Sequence, residues 1–194
     1  VVYFAENEQV IGLVALMDVP NEEAMNAIHY FKSQNIETTM ITGDAKLTGE
    51  AVGRLVGVDQ VFANVLPEEK SAIVDQLKRE VGMTGMVGDG INDAPALVNA
   101  DIGVAMGDGT DIAIDVADVV VMKNDLSKLG YAHRVSKRLN KIVQQNIIFS
   151  MLVVATLIIL NFLGIANIAF SVLIHEGSTL VVIFNGLRLL VNTK

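Results

Sequence analysis

Two stretches, Ile147–Gly164 and Ala169–Val191, are almost free of charge, and they constrain the fold more than any other feature of this sequence. The run from Asn146 to Gly164 is long enough to cross a ~30 Å hydrocarbon core at ~1.5 Å per helical residue, and the second run is longer. They predict two membrane helices joined by a short turn at Gly164–Ile168. Before them, Tyr131–Gln145 is basic and amphipathic, with Arg134, Lys137, Arg138 and Lys141, and reads as a cytoplasmic stalk. Basic residues flank the outer ends of the pair, Lys137–Lys141 before and Arg188 and Lys194 after, and the turn has none. Both ends are therefore expected on the cytoplasmic side. The competing reading, a buried helix pair in a soluble protein, fits these lengths and flanks less well.

The apolar excess raises the hydrophobic share of the 194 residues to 52%, high for a purely soluble chain. Charge divides near residue 131, where hydropathy does. Residues 1–130 carry 8 Lys and Arg against 21 Asp and Glu, a net −13, whereas residues 131–194 carry 6 against 1, a net +5. An acidic soluble part lacks the basic face that nucleic-acid binding needs, and suits a domain that gathers carboxylates around Mg²⁺. With no cysteine there is no disulfide framework, and a thiolate metal site cannot be built from this chain alone. The opening VVYFAENEQV has no initiator Met, basic leader or cleavage-like site and is read as a cut edge.

Within residues 1–130 short β-branched runs alternate with helix-like stretches. The pattern predicts strands at Gln9–Leu16, Ile36–Ile41, Val61–Ala63, Thr84–Val87, Ile102–Ala105 and Val119–Met122. Helices are predicted at Glu22–Ser33, Lys46–Val56, Glu68–Arg79 and Ala94–Asn99. Such alternation predicts an α/β fold with a doubly wound parallel sheet, whose ligands sit at the C-terminal strand edges.

The polar signals fall at those edges. In GDGINDAPAL, Gly88–Leu97, two glycines let the chain turn tightly around Asp89, and Asp93 follows four residues on at a helix start, so that both carboxylates can face one point. Hard oxygen donors of this kind suit Mg²⁺, which takes one or two carboxylates, waters and substrate phosphate, with Asn92 and backbone amides available to the phosphate. Pro95 fits the first turn of a helix. The bland alternative is a glycine-rich turn with Asp93 as a helix cap, which leaves most of the ten-residue string unexplained. TGD, Thr42–Asp44, is weaker alone, because Thr and Asp after a strand often only cap a helix. Beside GDG in one sheet, the Thr42 hydroxyl and the Gly43 amide could donate to phosphoryl oxygens. Lys70 in LPEEK stands at a helix start, where a cation gains nothing from the dipole, so either a functional target or a solvated pairing with Glu68 or Glu69 would explain it.

TGD, LPEEK and GDGINDAPAL, in that order, resemble the P domain of P-type ATPases, within the haloacid dehalogenase superfamily. The resemblance covers essentially the whole chain. It implies a HAD-like P domain followed by a transmembrane hairpin, with residues 1–11 ending a nucleotide-binding domain, 12–130 forming the P domain and 131–194 the stalk and last two membrane helices. It also implies that Thr42 contacts an aspartyl-phosphate, Lys70 neutralises it, Asp89 and Asp93 hold or position Mg²⁺, and Asn92 supports the phosphoryl group, with Gly43 and Asp44 in the same turn. ATP is the implied phosphoryl donor. The family's phosphorylated aspartate lies in a DKTGT motif that this sequence does not contain, so the nucleophile, the actuator and nucleotide-binding domains and the earlier membrane helices are expected upstream of Val1. Where the family usually has an arginine shortly after the aspartate that opens this segment, the chain reads Asp18, Val19, Pro20, Asn21. TGE at Thr48–Glu50 matches the actuator loop in letters only and falls inside a predicted helix.

The transported ion is expected to be chosen by HEGST, His175–Thr179. An adjacent His and Glu in an apolar helix are costly unless they line a pathway or bind something. The alternative is an interfacial pair that merely hydrogen-bonds. Imidazole plus carboxylate suits Fe²⁺, Co²⁺ or Zn²⁺ better than Cu⁺, and Gly177, Ser178 and Thr179 would permit close approach. HEGST followed by NGLRLL, Asn185–Leu190, resembles the last helix of the heavy-metal (P1B) transporters, specifically the cobalt, iron(II) or zinc subgroup. That implies an integral protein of the cell membrane with its P domain in the cytoplasm. Asn161, Ser150 and Met151 read as packing groups, and His29 and His133 receive no role. Two further readings are a membrane-anchored phosphatase using Asp18, which would need a second carboxylate where Pro20 stands, and a fragment that binds Mg²⁺ and phosphate without turnover.

Overall fold

The computed structural model describes residues 2–6, 9–14, 20–122 and 125–190. Leu16, at the end of the first expected strand, and Asp18 lie outside the described residues. The chain forms two compact units, Val1–Gly130 and Tyr131–Lys194.

The first unit opens with an antiparallel hairpin of β1 (Val2–Glu6) and β2 (Gln9–Val14), in register Val2↔Val14. Then α1 (Glu22–Ser33) begins where Asn21 caps it, accepting from the Ala24 amide at 2.8 Å, with Glu22 and Glu23 in the first turn and Lys32 in the last, as the helix dipole favours. β3 is only Thr39–Ile41. The expected start at Ile36 fails because Asn35 takes a left-handed φ of 57° and the Thr38 amide is spent on the Asp59 carboxylate at 2.9 Å. α2 (Lys46–Val56) ends at Gly57, whose φ of 86° makes the left-handed cap. β4 (Gln60–Phe62) pairs parallel with β3 in register Met40↔Val61.

After α3 (Glu69–Val81) come β5 (Gly85–Gly88), a 3-10 turn at Ile91–Asp93, α4 (Ala94–Asn99), β6 (Ile102–Met106), α5 (Asp111–Val116) and β7 (Val119–Val121). β5, β6 and β7 form a parallel ladder with β6 central. Period-two alternation sends the side chains of β6 to two covered faces. Ala105 packs on Leu97 and Ala113 from α4 and α5, whereas Val104 and Met106 pack with Val121, Leu126 and Leu129. Asp101 ties the strand starts to α3. It accepts from the Thr84 amide at 2.8 Å and pairs with Lys78 at 3.2 Å, and these contacts, the amide first, hold its carboxyl below the usual carboxylate range.

The stalk and the first apolar run are one helix, α6 (Ser127–Phe162), of 36 residues. At ~1.5 Å per residue it is far longer than a ~30 Å hydrocarbon core needs. Gly164, at φ 69°, turns the chain, and Asn167 caps α7 (Ile168–Leu187) by accepting from the Phe170 amide at 2.8 Å. Both helices are long and apolar enough to cross a membrane.

Candidate phosphoryl and metal site

Gly88 ends β5 against Asp93. A Cβ at position 88 would stand 2.6 Å from the Asp93 Cβ, so the tight turn needs glycine there for close approach. Gly90 keeps an extended φ of −109°, which any residue adopts. The Asp89 side chain that follows is exposed, and so is Asn92 on the 3-10 turn.

Asp93 is only 7% exposed and is fully engaged. Its Oδ1 accepts from Lys70 Nζ at 2.6 Å, and its Oδ2 faces the amides of Asp89 and Gly90 at 3.4 and 3.3 Å. Lys70 reaches it from the second residue of α3, with its own side chain 18% exposed. Its partner is thus neither Glu68 nor Glu69, and Glu69 instead accepts from the Leu66 amide at 2.9 Å. A buried carboxylate needs such a counter-charge. The outcome is a division between two carboxylates. Asp93 is tied up in holding the turn, and Asp89 presents its oxygens to solvent.

Thr42, Gly43 and Asp44 form a second group at the end of β3. The Thr42 hydroxyl donates to Asp44 Oδ2 at 2.8 Å and accepts from the Asp44 amide at 3.1 Å. The turn is secured by backbone bonds from Asn64 N–H to the Asp44 carbonyl (2.8 Å) and from Val65 N–H to the Thr42 carbonyl (3.1 Å). Among the described residues no hydrogen bond joins this group directly to the Asp89 turn. The link is indirect, because the segment bonded to TGD at Asn64 and Val65 leads straight into α3 and Lys70.

A second loop lies at this edge. Gly107–Thr110 follows β6 as GDG follows β5, and the Thr110 amide donates to the Asp89 carbonyl at 2.9 Å. The repeated GDG after an apolar strand was the signal that could have found it.

In the second unit, His175 Nδ1 lies 3.7 Å from Glu176 Oε1, and both side chains are exposed on α7. The hydroxyls of Ser178 and Thr179 donate back to the His175 carbonyl at 2.6 and 3.3 Å, so they brace the helix at that point. His175 also lines an open groove with Val154, Leu157, Ile158, Asn161 and Phe162 of α6. Among the described residues no cluster of three or more His, Cys, Asp or Glu gathers.

Residues 1–101 match the haloacid dehalogenase-like hydrolase family. The chain belongs to that family. The zinc-transporting ATPase of Bacillus subtilis is 46% identical over 190 residues, covering 98% of this chain and 30% of the relative. The cadmium, zinc and cobalt-transporting ATPase of the same organism is 41% identical over 195 residues, covering 98% of this chain and 28% of the relative. A crystal structure of a zinc-transporting PIB-type ATPase superposes with a TM-score of 0.89 at 33% identity, covering 97% of this chain and 31% of that one. The parallel sheet with its helices and the two long apolar helices are therefore shared with a P1B ATPase, and the chain corresponds to the C-terminal part of such a protein. It spans 30% or less of the length of these curated relatives.

Proposed function

We propose that this chain is the phosphorylation-domain and terminal-hairpin portion of an ATP-driven transition-metal exporter that works through an aspartyl-phosphate. The observation that carries the reading is the division of labour at GDGINDAPAL, where Lys70 and two backbone amides occupy Asp93 while Asp89 stays exposed at a parallel strand edge.

The donor set fits Mg²⁺, which binds through one or two carboxylates and keeps several waters and substrate oxygens. Asp89 would hold the ion, with Asp93 positioning the turn. Bound there, Mg²⁺ would offset charge on the transferring phosphoryl group. On this reading the Thr42 hydroxyl, released from Asp44, and the Gly43 amide donate to phosphoryl oxygens, Asn92 supports them, and Asp44 keeps Thr42 aligned until then. The acceptor aspartate would arrive on a strand between β3 and β5. Among the described residues each of these two has one ladder partner, and they are the strands that carry TGD and GDG. The β1–β2 hairpin would close the nucleotide-binding part. Its pairing runs to Val14, so we set that boundary beyond residue 14 rather than at residue 11.

For cargo we favour Zn²⁺, Co²⁺ or Fe²⁺, on the strength of imidazole plus carboxylate at His175 and Glu176. Two adjacent donors do not complete a site, so further ligands would come from other helices of the whole transporter, with Ser178 and Thr179 shaping the helix rather than binding directly. The hairpin would lie in the cell membrane with both ends and the phosphorylation domain in the cytoplasm.

The test is acid-stable phosphate incorporation from ATP by the complete ATPase polypeptide that carries this segment, with and without each metal. Asp89→Asn should abolish the phosphoenzyme in a folded protein, and His175→Ala should remove metal stimulation. A normal phosphoenzyme level in Asp89→Asn would sink the Mg²⁺ assignment. An ATPase indifferent to metals and to orthovanadate would sink the transporter.

A further inference from the structure

We infer that Gly109 and the backbone amide of Thr110 position the Asp89 carboxylate for the divalent cation, so that these two positions of the loop after β6 support the phosphorylation site from behind. The inference deepens the function proposed above and rests on it.

β5 and β6 run parallel in register, Gly88 opposite Ala105, so the chain leaves the sheet at Asp89 and at Gly107 side by side. The loop after β6 is wedged between its two neighbours. On one side the Gly107 amide donates to the Val121 carbonyl of β7 at 2.6 Å, and a Cβ at 107 would come within 2.7 Å of that oxygen. On the other side a Cβ at 109 would stand 2.6 Å from the Asp89 carbonyl oxygen and 2.8 Å from that of Met106. Both neighbours are backbone, so an added side chain must displace the main chain of Asp89 or of its own loop. Through that narrow gap the Thr110 amide reaches the Asp89 carbonyl at 2.9 Å.

Thr110 is itself fixed. Its hydroxyl accepts from the Ala113 amide at 3.4 Å as the cap of α5, and Ala113 is fully buried against Leu97 and Ala105. The Asp89 backbone is thus held from both ends, its N–H by Asp93 and its carbonyl by Thr110. Since Asp93 is bound in turn by Lys70, one chain of contacts runs Lys70, Asp93, Asp89, Thr110 across α3, the 3-10 turn and the loop after β6. Among the described residues the exposed Asp89 carboxylate has no hydrogen-bonded side-chain partner setting its direction, so its aim follows from this backbone. Groups that orient a metal ligand from behind typically change metal affinity by about 10- to 100-fold when lost.

The variants are Gly109→Ala, Asp108→Ala in the same loop with its side chain exposed, and the pair Thr110→Ala and Thr110→Pro. Both Thr110 variants lose the capping hydroxyl, but only proline loses the amide, and the φ of −70° at this position already suits proline. Mn²⁺ is titrated into the complete polypeptide by electron spin resonance, with thermal unfolding followed in parallel. Gly109→Ala should weaken Mn²⁺ binding by about tenfold or more, and Thr110→Pro should do the same relative to Thr110→Ala. Asp108→Ala should stay at the wild-type value. Raising Mg²⁺ should restore phosphoenzyme to Gly109→Ala, which general damage to the fold would not allow. Wild-type affinity in Gly109→Ala, or equal affinities in the two Thr110 variants, would overturn the inference and leave the phosphorylation site standing. Should Gly109→Ala fail to fold, the Thr110 pair decides. Absence of saturable Mn²⁺ binding in the wild type would overturn the site and the inference together.

Discussion

Lys70 Nζ stands 2.6 Å from Asp93 Oδ1 across 23 positions of sequence, with the two side chains 18% and 10% exposed. A pair this sheltered is worth little as a gain over apolar residues, but breaking it strands a charge. Lys70→Met should therefore destabilise the first unit by about 1–3 kcal/mol. A double-mutant cycle with Asp93→Asn, read by urea unfolding, should give a coupling of about 1 kcal/mol or more. A coupling near zero would mean that Lys70 does not hold the turn.

Asp59 supplies the pH dependence. Lys32, 2.7 Å away, and then the Thr38 hydroxyl and amide at 2.7 and 2.9 Å, lower its carboxyl from the ordinary 3.8 to about 2. Because the folded value lies below the unfolded one, ionised Asp59 contributes stability above about pH 4, and this is lost as pH falls toward 2. Asp59→Asn should flatten the acid limb of a stability profile across that window and leave its shape near neutrality unchanged. Parallel limbs for the two proteins would contradict the assignment.

What the sequence made legible was local. α1 and α2 fall on their expected bounds because Asn21 and Gly57 cap them and their apolar residues keep a helical period. β1 and α5 leave little trace in the sequence. β1 shows no clean alternation, and α5 is a six-residue helix whose one signal is the Thr110 cap. Motif positions could be read because glycine, carboxylate and threonine requirements are written in adjacent residues. The pairings could not, since Lys70 has nearer acidic neighbours in sequence than Asp93, and the Thr110 amide contact uses a group every residue but proline carries. Only the parallel register of β5 and β6 brings them together.

Gly53 tests the packing of α2 on the sheet. A Cβ there would collide with a Val61 methyl and approach Val58 Cγ2 at 3.3 Å. Alanine gains about 1 kcal/mol in helix propensity over glycine. Overpacking costs about 1–3 kcal/mol, so the collision should win and Gly53→Ala should be destabilising. Gly53→Val should be worse. Denaturant midpoints decide this, and a stabilised Gly53→Ala would show that α2 can lift from β4 at no cost.

The basic end of the hairpin is closed by side chains rather than by packing alone. Asn185 Nδ2 donates to Asn146 Oδ1 at 2.8 Å, Arg188 Nη1 donates to Asn185 Oδ1 at 2.8 Å, and Arg138 Nη2 donates to the Arg188 carbonyl at 2.5 Å. One amide thus bridges α6 and the end of α7. Interhelical hydrogen bonds in membranes average about 0.6 kcal/mol and reach about 1.7 kcal/mol. Asn185→Leu removes the donor to Asn146 and the acceptor of Arg188 at once, so a loss toward the upper end of that range is expected. Asn146→Leu, which leaves the Arg188 contact in place, should cost less. Unfolding of the complete protein in mixed micelles would rank them, and the reverse order would show that the bond Asn146 Nδ2 donates to the Val182 carbonyl at 3.5 Å outweighs the anchoring of Arg188.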